Sequence, residues 1–202
     1  MIKNIIFDIG GVLLEYRWRD MLLDYGASEE EALAINKITF SDPTWRAMDR
    51  GDVTLAEARD YFVKTYPDYS DYLQFFLTRT DLMDVDRPKV WEKMKACKDA
   101  GYGIYILSNY GKELFDQHAA CKEFMQYPDG MVISYEIRSC KPERPIYDTL
   151  ADRYNLVREE SIFFDDMEEN VTAAIEYGFH SVQITSQQVI LDELDKLLEA
   201  KR

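Results

Sequence analysis

Histidine occurs only twice in the 202 residues and cysteine three times, as Cys97, Cys121 and Cys140, with no Cys-x-x-C pair. So few ligating side chains, set so far apart, suggest neither a zinc site nor a disulfide framework, and reduced thiols in a cytoplasmic protein are the expectation. His118 is read accordingly as a helix-surface residue and not as a catalyst. Long apolar runs are missing as well. The N-terminal stretch meets a charge at Asp8, too early for a signal peptide or a membrane span. Positive charge is scarce: 24 Lys and Arg stand against 38 Asp and Glu, for a formal net charge of −14. Nucleic acid and anionic membranes are repelled by such a chain, which leaves a small molecule as the expected partner. If that molecule is an anion, a local cluster of cations, amides or metal must reverse the sign at its site. There is no internal repeat or low-complexity tract. The 14 tyrosines suit a core or an interface equally, so monomer or weak homodimer is the default.

What is present is enough apolar content, 47% of 23.7 kDa, for one substantial core with a smaller module beside it. Residues 2 to 7 form an apolar run ending at Asp8 and the Gly10-Gly11 pair, which predicts a buried strand opening into a tight turn. Ile104 to Leu107 before Ser108-Asn109, Ile162 to Phe164 before Asp165-Asp166, and Ser181 to Ile184 predict three more strands. Helical patterns lie between them at 88–100, 143–154 and 167–177. Strands alternating with helices of this length imply an α/β fold with a doubly wound parallel sheet. Ligands of such sheets bind outside the carboxyl ends of the strands, where Asp8, Ser108, Asn109, Asp165 and Asp166 all fall. Residues 15–85 read differently, as short amphipathic helices such as Ser28–Ile38 and Thr54–Thr65 without a convincing strand. The division expected is therefore a core of residues 1–14 and 86–202 and an inserted all-α cap at 15–85. With 15 acidic and 8 basic residues the insertion carries −7, so its outer face is solvated and its inner face is left to meet substrate.

Phe7-Asp8-Ile9-Gly10-Gly11-Val12-Leu13 resembles the first motif of haloacid dehalogenase-type hydrolases, and the other motifs follow in order. Leu107-Ser108-Asn109 is similar to the second, Lys141-Pro142 with Ile146-Tyr147 to the third, and Phe163-Phe164-Asp165-Asp166 with Asn170 and Ala173-Ala174 to the fourth. The resemblance spans the core and implies a Rossmann-like sheet and a magnesium-dependent phosphohydrolase. Chemistry supports the same roles. A carboxylate on a strand-end loop can take a phosphoryl group to give an aspartyl phosphate that water hydrolyses, a task that suits Asp8. Mg2+ takes hard oxygen ligands, for which Asp8, Asp165, the Gly10 carbonyl and waters are the natural set, with Asp166 one water removed. Ser108, the amides around Ile9, Gly10 and Asn109, and the fixed charge of Lys141 form the phosphate cradle. Asn170 either orients the fourth-motif loop or faces solvent.

One position departs from the pattern. Most phosphatases of this superfamily carry a second aspartate two residues after the nucleophile, as general acid and base, and here that residue is Gly10. Either the leaving group departs without help, or a cap residue or water supplies the proton, or the protein is a catalytically silent binding protein. A metal-independent dehalogenase is the remaining alternative, although adjacent Asp165 and Asp166 are costly to hold without a cation. Arg50-Gly51 late in the insertion and the Phe-Phe-Asp-Asp motif resemble the branch of α-glucose-1-phosphate phosphatases, which implies a sugar phosphate. Trp45, Arg46, Asp49 and Arg50 are the cap residues expected to face it, an aromatic plane with polar neighbours being suited to a sugar.

Overall fold

The computed structural model describes residues 1–201. In chain order its elements are β1 (Asn4–Phe7), β2 (Leu14–Tyr16), α1 (Trp18–Asp24), α2 (Glu29–Ser41), α3 (Pro43–Asp49), α4 (Leu55–Thr65), α5 (Ser70–Thr78), β3 (Asp84–Asp86), α6 (Pro88–Asp99), β4 (Gly103–Ser108), α7 (Lys112–His118), β5 (Gly130–Ile133), α8 (Ser134–Ile137), α9 (Arg144–Tyr154), β6 (Ser161–Asp165), α10 (Glu168–Glu176), β7 (His180–Gln183) and α11 (Gln187–Glu199). Five strands form one sheet in the order β5-β4-β1-β6-β7, every pairing parallel.

The sheet is buried on both faces, and the side-chain period of two divides its residues between two cores. Ile5, Phe7, Ile104, Ile106, Ile162 and Phe164 face a core closed by Val90, Trp91 and Met94 of α6 and Ile190 and Leu194 of α11. Ile6, Leu107, Val132 and Phe163 face the other, closed by Ile146, Tyr147 and Leu150 of α9 and Ala173 and Ala174 of α10. Helices on both faces make the sheet doubly wound, as the apolar runs predict. The three core helices expected at 88–100, 143–154 and 167–177 form within a residue or two of those bounds as α6, α9 and α10. β5 was not legible, because Gly130 and Met131 give it only two fully buried positions.

Between β2 and β3 run α1–α5. Ser28 and Thr54 cap α2 and α4 through capping boxes, each hydroxyl accepting from the backbone three residues on while Glu31 or Glu57 reaches back. The expectation of no strand from 15 to 85 is corrected at both edges: Leu14–Tyr16 and Asp84–Asp86 pair antiparallel as a two-stranded stalk. Three residues are too short for an alternation to register in sequence. Buried Arg87 holds the stalk to the core, donating to the carbonyls of Gly11 and Val12 and pairing with Glu15. Among the described residues no helix is long and apolar enough to cross a membrane.

Candidate active site

Asp8, Ser108, Lys141 and Asp165 meet at the carboxyl ends of β1, β4 and β6, and all four are buried. Asp8 Oδ1 accepts from the Ile9 N–H at 2.8 Å, from Ser108 Oγ at 2.6 Å and from Lys141 Nζ at 2.9 Å. Its Oδ2 has no hydrogen-bond donor among the described residues, so one carboxylate oxygen is fixed and the other is free to react. Lys141 Nζ also lies 2.6 Å from Asp165 Oδ2. The Lys141 backbone is held in turn by Asn109, whose Oδ1 accepts from the Lys141 N–H at 2.8 Å and whose Nδ2 donates to the Lys141 carbonyl at 3.0 Å. The Asn109 side chain thus orients the lysine. Asn170 is buried, and its Nδ2 donates to both oxygens of Asp165 at 3.0 and 3.2 Å, so of its two expected roles the structure gives the orienting one.

Asp166 completes a cluster in which one oxygen each of Asp8, Asp165 and Asp166 lie within 4.8 Å of one another. Gly11 makes this approach possible. Its φ is +65°, and a Cβ there would sit 2.6 Å from the Asp166 carboxyl carbon. Burial, with the neighbouring Asp165 charge adding to it, pushes Asp166 up to about 6. Burial likewise drives Asp8 to about 7 against the pull of Lys141. Burial opposes the Lys141 charge, yet Asp165 and Asp8 outweigh it and hold its pKa above the ordinary value. Three carboxylates around one ammonium leave an excess of negative charge on hard oxygen donors, and this donor set fits a divalent cation such as magnesium.

In front of Asp8 lies a cavity of about 140 Å³ lined by Gly10, Tyr16, Trp18, Phe40, Trp45, Asp49, Met83, Asn109, Tyr110, Leu114 and His118. Of the four insertion residues expected to face substrate, Trp45 and Asp49 line it. Arg46 and Arg50 are turned to Glu143, at 3.1 and 2.5 Å, and tie α3 to the turn before α9. Asp49 ends α3, and burial pushes its carboxyl up to about 7. Tyr16, which no motif signals, fills the space beside Gly10: a Cβ on that glycine would meet the ring at 2.9 Å and the hydroxyl at 3.3 Å. The hydroxyls of Tyr16 and Tyr110 hydrogen-bond to one another. The reading of His118 as a surface residue is corrected. It is 1% exposed, its Nε2 donates to the Thr80 carbonyl at 2.8 Å, and burial lowers its pKa. The return of the chain from α5 covers it, which helical periodicity in α7 does not reveal.

A family model for haloacid dehalogenase-like hydrolases matches residues 2–178. The chain belongs to this family. Among curated haloacid dehalogenase-like relatives it is 25% identical to (S)-2-haloacid dehalogenase 4A of Burkholderia cepacia, over 86% of this chain and 66% of that protein. It is also 25% identical to D-ribitol-5-phosphate phosphatase of Bacteroides thetaiotaomicron, over 91% of this chain and 92% of that one. Its fold is similar to that of a haloacid dehalogenase family enzyme from Bacteroides thetaiotaomicron solved with magnesium and inorganic phosphate, with a TM-score of 0.67, 23% identity and coverage of 91% and 94% of the two chains. The family thus contains relatives that act on carbon–halogen bonds and relatives that act on phosphate esters. The geometry around Asp8 must carry the choice between them.

Proposed function

We propose that this hydrolase is a magnesium-dependent phosphatase of a small phosphorylated metabolite, a sugar or polyol phosphate, with Asp8 as the transiently phosphorylated nucleophile. The observation that carries the reading is the cluster of Asp8, Asp165 and Asp166 around buried Lys141, with Asp8 Oδ2 left free beside the cavity. A bound phosphoryl group brings negative charge, and the Lys141 ammonium and the Ser108 hydroxyl stand where they can receive its oxygens. Asp8, Asp165, the Gly10 carbonyl and, through water, Asp166 would hold the magnesium ion, which when bound neutralises charge on the phosphate. The helical insertion acts as the cap: its Trp45 and Phe40, with Tyr16 and Trp18 of the stalk and α1, offer aromatic planes to the C–H faces of a sugar. A cavity of about 140 Å³ suits a small leaving group. The ribitol phosphate phosphatase and the magnesium–phosphate complex among the relatives support the same substrate class.

The test is phosphate release from a panel of sugar, polyol and acyl phosphates with magnesium and with a chelator, for the native chain and Asp8→Asn. Magnesium-dependent release that the substitution abolishes is the expected result. Halide release from 2-haloacids in chelator, with no phosphate release, would replace this reading by the dehalogenase one.

A further inference from the structure

Expulsion of a sugar oxygen requires a proton, and Gly10 has none to give. The cavity in front of Asp8 offers five polar candidates besides the nucleophile. The amide of Asn109 is committed on both sides to the Lys141 backbone. The hydroxyls of Tyr16 and Tyr110 are committed to one another, and a phenol, with an ordinary pKa near ~10, is a weak acid at neutral pH. His118 places its one ring proton on Nε2, toward the Thr80 carbonyl, which leaves the buried Nδ1 without a partner and without a proton to donate. Asp49 remains.

Its position is fixed from both sides. The Asp49 carbonyl accepts from Ser134 Oγ at 2.5 Å, and the same hydroxyl accepts from the Tyr110 N–H at 2.9 Å. Gly111 packs so closely on α3 that a Cβ there would lie 3.0 Å from the Met48 carbonyl. Arg46, on the same helix, is drawn away by Glu143, so Asp49 has no ion pair among the described residues. The titratable groups around it are Arg46 on α3, Lys141 and Cys140 before α9, Tyr110 after β4, and Tyr16 on β2. In this setting the carboxyl retains its proton to near neutral pH.

Building on the phosphatase reading, we propose that Asp49 protonates the leaving-group oxygen and then serves as the base for the attacking water. In the first step Asp8 Oδ2 forms a bond to phosphorus while the ester P–O bond breaks. The bonding pair goes to the departing oxygen, which takes the Asp49 proton. In the second step a water oxygen bonds to phosphorus as its proton passes to the Asp49 carboxylate, and the Asp8–phosphorus bond breaks with its pair returning to Asp8. Both carboxyl groups end as they began.

The experiment compares the native chain and Asp49→Asn, with magnesium, on p-nitrophenyl phosphate and on whichever sugar phosphate the native chain turns over fastest. On the sugar phosphate, kcat/KM is expected to fall by about 10²–10⁴-fold, the usual share of acid–base catalysis. Nitrophenolate leaves without a proton, so the variant should release one equivalent of nitrophenol per chain at a near-native rate and then turn over slowly. That burst also demonstrates a folded variant with a working Asp8. Equal losses on both substrates without a burst, or unchanged turnover of both, would overturn the role of Asp49. If the native chain releases phosphate from neither substrate, the phosphatase reading itself falls, and the proposal with it.

Discussion

Restoring the aspartate that the family pattern leads one to expect at position 10 should damage this protein. Gly10 has no positive φ, so its backbone accepts a side chain, and the obstacle is the ring of Tyr16. A Cβ at position 10 lies 2.9 Å from Tyr16 Cε2, inside the contact limit, and the ring cannot swing away without losing the hydrogen bond to Tyr110. Overpacking of this kind costs about 1–3 kcal/mol, and loss of the hydroxyl pair adds about 1 kcal/mol. Gly10→Asp is therefore expected to destabilise by about 2–4 kcal/mol. For a chain of this size that corresponds to a melting temperature about 5–15 °C lower. Tyr16→Ala removes the obstacle, so the double variant should be more stable than the sum of the single effects predicts, by about 1–3 kcal/mol. The assay is a double-mutant cycle by urea denaturation. Additivity within about 0.5 kcal/mol, or a Gly10→Asp chain as stable as the native one, would refute the claim that Tyr16 occupies the place of the missing acid.

Lys141→Met keeps the buried stem but leaves Asp8 and Asp165 without their shared ammonium, and breaking a buried pair in this way costs about 3–5 kcal/mol; urea midpoints in chelator check it, and added magnesium should recover part of the loss. Asp49 contributes a pH slope. Its pKa is raised in the folded chain to about 7, so its contribution to stability is full below the ordinary carboxylate range near 4 and is lost as pH rises through 7; the difference in stability between native and Asp49→Asn chains, measured at pH 5 and pH 8, should shift against the native chain at pH 8. Glu143→Gln releases Arg46 and Arg50 from partly exposed ion pairs and should cost under about 1 kcal/mol, while raising hydrogen exchange in α3.

The sequence alone determined the parallel sheet, because apolar runs such as Ile5–Phe7 and Ile162–Phe164 end in polar groups and buried parallel strands need no partner pattern to be recognised. It also determined which strand ends gather the charged residues, since the carboxyl edge of such a sheet is a single place. Asp8, Ser108 and Asp165 were legible for that reason, Lys141 only through the resemblance of Lys141-Pro142 to the family's third motif, and Asp49 and Trp45 because an aromatic and a carboxylate stood together in a helical insertion. Only the tertiary structure decided which side chains of the insertion turn inward. Arg46 lies on the same short helix as Asp49 and Arg50 directly follows it, and it is Glu143, more than 90 residues further on, that draws them off. Tyr16 and His118 were invisible for the same reason. A tyrosine on a three-residue strand and a histidine on a seven-residue helix carry no periodic signal of their own, and the contacts that give them meaning come from Gly10, Tyr110 and Thr80, brought alongside by the fold.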